Sequence, residues 1–204
     1  TGLFLDMMKE GFFEAFYDTQ TFDIRSAHFM KENPNHIEIS ASFYANPHHP
    51  GPIVNDLDVV FLAATEVDLD FNVNVITNSN GLFMGASGGH SDTAAGAKMS
   101  VIVVPLIRGR LPMIRDNVHT AVTPGETIDV VVTDRGIAVN PKRQDLVDQF
   151  KNSGLNLKSI EELQAMSHKL VGKPEAVPLT NDIIGVIEYR DGTIIDTVYA
   201  PAKR

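Results

Sequence analysis

The sequence predicts an α/β layer fold, with a largely parallel sheet flanked by helices and a β-hairpin at its C-terminal end. Three observations point there. The runs "VVFLAAT" (59–65), "VIVVPLI" (101–107) and "IDVVVT" (128–133) are continuous and apolar at strand length, which is how strands covered on both faces of a parallel sheet read. Segments of helical period lie around them. Near the end, "IIGVIEYRDGTIIDTVY" places two β-rich runs about Asp191-Gly192, a strong hairpin signal.

Along the chain, Leu5, Met8, Phe12 and Phe16 recur at three- and four-residue steps with Asp6, Lys9, Glu10 and Glu14 between them. This spacing predicts an amphipathic helix whose apolar side belongs to the core. Asp23 caps a second helix through Phe29, which Asn33-Pro34 stops. Three prolines and a glycine make "NPHHPGP" (46–52) a loop. Val59 to Thr65 is the first buried strand. "FNVNVIT" (71–77) alternates Phe71, Val73 and Val75 with two asparagines, which predicts a strand with one polar face near a site. "TPGE" (123–126) is a turn. Ser159 and Glu162 match a capping box, opening a helix through Leu163, Met166 and Leu170 to Gly172. No repeat, linker or internal boundary stands out, so residues 1–204 read as a single domain. The chain begins at Thr1 rather than Met, as expected of a piece of a longer protein.

Composition narrows the function classes. Of the 204 residues, 43% are hydrophobic and 21% charged, and there is no cysteine. A disulfide framework, a thiolate zinc site and a cysteine nucleophile are therefore excluded, and a reducing, cytoplasmic setting is permitted. No apolar run approaches a membrane span. The formal charge of −9 argues against nucleic acid as a partner. Its distribution is uneven: Thr1 to Ala97 carries 3 Lys+Arg against 13 Asp+Glu, whereas Lys98 to Arg204 carries 14 against 13. Arg108, Arg110 and Arg115 lie within eight residues of one another, either as a solvated set or as a holder of a small acidic molecule.

The densest chemical stretch is "GASGGHSDTAAGA" (85–97). Gly85-Ala86-Ser87-Gly88-Gly89 fits the G-x-S-x-G nucleophile elbow. The elbow requires a strand running straight in, and Asn80-Gly81 breaks the chain just upstream. His90 and Asp92 are too near Ser87 in sequence to assume triad geometry. No Walker-type Gly-Lys-Ser/Thr is present, and no G-x-G-x-x-G follows a strand. His48-His49 reads as an exposed loop pair, because adjacent side chains diverge and no third metal ligand is evident. Glu66 ends a buried strand, where sites often lie in α/β sheets, but as a lone carboxylate it fits a strand-end turn as well. The glycines themselves leave backbone N–H groups open to close approach, and such groups stabilise oxyanions. An acyl or phosphate site follows, with its substrate open.

In order, "NPNHIEISASFYANP", "EVDLDFNVNV", "GASGGHSDTAAGAK", "PLIRGRLP" and "VTDRGIAVNP" closely resemble the citrate lyase α-subunit family, the citrate CoA-transferases, from about Gly2 to about Val198. The resemblance implies a CoA-transferase-like domain of the NagB/RpiA/CoA-transferase type. It would be the second of two in a longer subunit whose N-terminal half supplies the other wall of the site. It implies exchange of acetyl for citryl on a thioester of CoA, or of the CoA-derived prosthetic group of an acyl-carrier (γ) subunit. A lyase (β) subunit then cleaves citryl, in a cytoplasmic homo-oligomeric complex with no metal in this chain. Related covalent CoA-transferases carry a nucleophilic Glu in a Glu-Asn-Gly motif. Here the corresponding residues are Ser79-Asn80-Gly81, and the resemblance implies a ternary complex in which citrate itself attacks the acetyl thioester to give a mixed anhydride.

On that basis Ser79, Asn80 and Gly81 are the candidate catalytic residues. Gly85, Ser87, Gly88, Gly89, His90 and Ser91 are candidates for the thioester and its arm, and Arg108 and Arg110 for citrate carboxylates or cofactor phosphates. Two alternatives stand beside this reading. One is a structural or docking lobe of a lyase complex. The other is a covalent transferase or thioesterase that uses a different carboxylate, such as Glu66, on a related acid such as citramalate.

Overall fold

In the computed structural model, which describes residues 2–202, the chain clusters into two units, Thr1–Ile53 and Val54–Arg204. The sequence reading draws no such division.

In the first unit, α1 (Gly2–Lys9) buries Leu5 and Met8 on one side. It is shorter than the apolar spacing predicts. Gly11 takes φ 80°, a left-handed conformation that ends a helix and that glycine adopts at little cost. Beyond it Phe12 is 67% exposed, and Phe16 opens a strand, β1 (Phe16–Asp18). The expectation of one core helix through Phe16 is thus corrected. α2 (Ile24–Glu32) begins where expected, with the Asp23 side chain accepting from the Arg25 amide, and stops at Asn33. β2 (His36–Glu38) pairs in parallel with β1, and buried His36 sets Nε2 3.1 Å from Asp18 Oδ2. The Ser40 side chain caps α3 (Ala41–Ala45), after which residues 46–52 form no helix or strand.

The second unit carries the layer fold. Its elements are β3 (Val59–Ala63), β4 (Glu66–Asp68), β5 (Val73–Asn74), α4 (His90–Gly96), β6 (Met99–Val103), β7 (Ile107–Arg108), β8 (Leu111–Pro112) and β9 (Ile114–Arg115). They are followed by β10 (Val130–Thr133), β11 (Gly136–Val139), α5 (Gln144–Phe150), α6 (Ile160–Val171), β12 (Leu179–Glu188) and β13 (Ile194–Pro201). A four-stranded sheet has the order β11-β10-β6-β3. The three apolar runs noted in the sequence are its parallel neighbours, with Phe61 opposite Val101 and Val131 opposite Ile102. One face carries the main core, where Ile102, Val131 and Ala138 cluster with Ala94 of α4 and with Ile160 and Leu163 of α6. On the other, Leu146 of α5 covers Val101 and Val130.

The expectation of coverage on both faces fails at the edge strand. Phe61 of β3 is 71% exposed and Val103 of β6 is half-exposed, both outside the cluster that Leu146 of α5 covers. A second sheet, β5-β4-β9, pairs β4 in parallel with β9. The capping box opening α6 has both of its hydrogen bonds, and β12 and β13 form the expected C-terminal hairpin. No helix of the described residues is long and apolar enough to cross a membrane.

His90, the first residue of α4, braces this unit. Its Nε2 lies 2.9 Å from the Ala63 carbonyl, which can only accept, so Nε2 carries the proton. Nδ1 then accepts from the Thr123 hydroxyl at 2.6 Å. The helix is thereby tied to the end of β3 and to the loop before β10. Burial holds the imidazole below its ordinary histidine range, opposed by the bond to Ala63. The native state therefore takes up a proton less readily than the unfolded chain. The stability this gives is complete above the unfolded histidine value of about 6.5 and is lost as pH falls through the folded value. The urea midpoint of the wild type should accordingly drop more between pH 7.5 and pH 5.5 than that of His90→Gln. Parallel pH dependences of the two proteins would contradict the buried neutral ring.

Candidate functional site

A cavity of about 470 Å³ gathers Ser79 and Asn80, Arg110, Leu111 and Arg115, and the segment 173–178. Each lining segment is held there by local chemistry. After β5, an antiparallel bridge between Thr77 and Phe83 closes a tight turn. Inside it the Asn78 side chain accepts from the amides of Asn80 (2.9 Å) and Leu82 (3.1 Å), an Asx-type arrangement. Gly81 donates to the Asn78 carbonyl at 2.9 Å and takes φ 75°. A Cβ there would stand 3.1 Å from Val177 and 3.3 Å from Leu179, so only glycine lets the turn lie against the segment that leads into β12. Arg110 sits in the turn between β7 and β8, and Arg115 ends β9. Segment 173–178, "KPEAVP", leaves α6 after Gly172, and its two prolines keep it from helix.

Charge in the cavity runs against the acidic balance of the chain. Arg110, Arg115 and Lys173 line it with Glu175 as the one acid among the lining residues. Arg110 is exposed. Lys173 is also exposed, its ammonium 3.6 Å from Asp116 Oδ2, a surface pair of little energetic consequence. Arg115 differs, being buried at 5% exposure. Its Nε is 3.4 Å from Glu66 Oε1, and its Nη2 is 3.5 Å from His119 Nε2. Glu66 Oε2 accepts from Asn74 Nδ2 at 3.3 Å and from the His119 amide at 3.2 Å. Asn74 also holds Thr77, through a 2.7 Å bond to its hydroxyl and by accepting from its amide. The buried network therefore runs into the turn that presents Ser79 and Asn80. Of the strand predicted over 71–77 only Val73–Asn74 forms, with Phe71 at φ 66°; Asn74 serves this clamp, whereas Asn72 bonds Asp68 and the Gly125 amide.

Three of the sequence candidates meet at the cavity: Ser79, Asn80 and Arg110. Gly81 shapes the turn without lining it. Arg108 is exposed on β7 and turns its guanidinium toward the Ala64 carbonyl at 3.4 Å, outside the lining. Gly85, Ser87, Gly88, Gly89 and Ser91 lie partly or fully exposed in the loop before α4 and at its start, also outside the lining. Within the described residues, no acceptor takes the amides of Gly85, Gly88 or Gly89, so these amides stay available. His90 has no ring nitrogen left for a ligand or for Ser87, which removes both a Ser–His pair and a direct contact through the ring. Glu66 has no exposed surface and does not line the cavity, which speaks against it as the alternative carboxylate nucleophile. Arg115 belongs to the arginine set noted in the sequence but is not assigned to citrate there, and Lys173 is not among the sequence candidates. The arginine spacing signals the first, whereas nothing local signals the second, 58 residues further along.

Comparison with known proteins agrees with this architecture. Residues 1–200 match the family model for citrate lyase, alpha subunit (CitF). The citrate lyase alpha chain of Klebsiella pneumoniae is 50% identical over 198 residues, 97% of this chain and 39% of its own length. A Streptococcus mutans structure, solved as an alpha subunit of citrate lyase in complex with citrate, superposes on 100% of this chain and 40% of its own. Its TM-score is 0.95 and its sequence identity 44%. The structure of a RipA point mutant, 18% identical with a TM-score of 0.50, covers 72% of this chain and 35% of its own, and shares the fold alone. The chain spans about two-fifths of the length of the curated relatives it matches. A mixed sheet with parallel strands, a C-terminal hairpin and a family match over nearly every residue place this chain in the citrate lyase alpha subunit family.

Proposed function

We propose that the chain is the second domain of a citrate CoA-transferase, and that its cavity holds the tricarboxylate during acyl exchange. One observation carries the reading. Ser79 and Asn80 meet Arg110, Arg115 and Lys173 around one cavity, in a family with a member solved bound to citrate. A tricarboxylate needs several cations to replace its water, and arginine presents a planar fork that matches a carboxylate.

Citrate's carboxylate oxygen attacks the acetyl thioester carbonyl, the carbon–sulfur bond breaks, and a mixed anhydride forms as the thiolate leaves. The thiolate then attacks the citryl carbonyl of the anhydride, releasing acetate and leaving a citryl thioester. Ser79 stands where covalent relatives carry glutamate, so the protein acts by positioning and charge stabilisation. Ser79 and Asn80 hydrogen-bond the citrate, and Arg110 and Lys173 hold its carboxylates. The free amides of Gly85, Gly88 and Gly89 support this loop as the contact for the thioester oxygen, with Ser87 and Ser91 on its arm. The thioester belongs to CoA or to the CoA-derived group of an acyl-carrier subunit, and a lyase subunit consumes the citryl product. Arg108 remains a candidate for the cofactor phosphates.

Two measurements on the full-length subunit test this. Removing one charged hydrogen bond is worth about 1.5–3 kcal/mol, so Arg110→Ala should raise the KM for citrate by about tenfold or more with kcat little changed. An unchanged KM in folded enzyme would take Arg110 out of the site. Borohydride treatment after incubation with acetyl-CoA should leave every glutamate of the subunit intact. A reduced glutamyl thioester, with activity lost on replacing that glutamate, would establish covalent transfer instead.

A further inference from the structure

We infer that Glu66 is the positioning residue of this cavity: it fixes the Arg115 guanidinium in the wall as the oriented anchor for a substrate carboxylate, and acts on binding only through Arg115. The inference rests on the carboxylate reading of the cavity. Strands β4 and β9 run parallel with Asp68 opposite Arg115, which brings the Arg115 side chain beside Glu66 at the start of β4. Arginine is long and rich in rotamers, so a useful anchor has to be held in place. Two contacts hold this one, an ion pair of Nε with Glu66 Oε1 at 3.4 Å, an oxygen that takes no hydrogen bond, and Nη2 against His119 at 3.5 Å. Glu66 is itself fixed by Asn74 and the His119 amide, so the pair cannot swing as a unit.

Burial explains why an acid is needed there. A guanidinium this deep with no counter-charge would be strongly disfavoured whenever the cavity is empty. Glu66 lets the cation persist without ligand. It does not use the guanidinium up, because Nη1 is buried with no hydrogen-bond partner. Buried charged donors seldom stay unpaired, and Arg115 lines the cavity, so a carboxylate drawn against that wall completes its donor set. Arg110 and Lys173, both exposed, supply attraction, whereas Arg115 supplies orientation.

The test is steady-state kinetics of the full-length subunit in its lyase complex, with wild type, Glu66→Gln, Arg115→Gln and the double variant. Glu66→Gln should raise the citrate KM about fivefold or more while kcat changes less than about threefold, and Arg115→Gln should raise it about tenfold or more. In the double variant, Glu66→Gln should add nothing beyond Arg115→Gln. The double removes both buried charges together and is the variant best placed to fold. Where Glu66→Gln does not fold, Glu66→Asp, which keeps the charge but withdraws it by one methylene, should raise KM by itself. A Glu66 effect that survives in the Arg115→Gln background overturns the inference, as does a loss of kcat at constant KM or a Glu66→Asp enzyme with wild-type KM. If Arg115→Gln raises KM and Glu66→Gln does not, the inference fails while the carboxylate reading stands. If neither Arg115→Gln nor Arg110→Ala moves KM, the carboxylate reading itself fails.

Discussion

A carboxylate with no contact with water has to be matched by its neighbours, and Glu66 is matched from three segments at once. Asn74 of β5 and the His119 amide hold one oxygen, while the other takes no hydrogen bond and is met only by the charge of the Arg115 guanidinium at 3.4 Å. These partners come from strands on both sides of β4 and from the loop beyond β9. The same Asn74 reaches on to Thr77, where the turn bearing Ser79 and Asn80 begins. A single buried charge thereby couples the central strand of the smaller sheet, one wall of the cavity and the turn on its other side. Asp68, two residues along, repeats the motif: burial pushes its carboxyl up, while bonds from Asn72, Val118 and Asp70 hold it.

On the proposed function, this arrangement suits the positioning of substrates. Glu66, the carboxylate behind the Arg115 wall, is locked into structure, and the one acid of the lining is the exposed Glu175. What the cavity offers is buried and exposed positive charge, two small polar side chains on a tight turn, and nearby a loop with unused amides. Such groups stabilise charge as it develops without having to reorganise, which is where most electrostatic catalysis lies. The chain spans about two-fifths of its relatives' length.

Much of the fold was legible because its signals are local. The three apolar runs became the parallel strands β3, β6 and β10, Ser159 and Glu162 formed their capping box, and Asp191-Gly192 turned the hairpin. Failures came where one residue or the tertiary context outweighed a pattern. Gly11 ended α1 although the apolar period continues through Phe16, and the open side of β3 left Phe61 exposed although its run reads as doubly covered. The site shows the same divide. Ser79, Asn80 and Arg110 came from the family resemblance and from arginine spacing, whereas Lys173 joins them only after α6 has folded back. His90 looked like a ligand contact beside so many small residues, yet Thr123 and Ala63, 33 and 27 positions away, take both ring nitrogens.

The most direct test of the cavity's role is the electron density of crystals of the full-length subunit soaked in citrate. The account predicts one citrate between the Ser79-Asn80 turn and Arg110, with a carboxylate oxygen within hydrogen-bond distance of the Arg115 guanidinium. Citrate bound elsewhere, with this cavity holding only water, would contradict it.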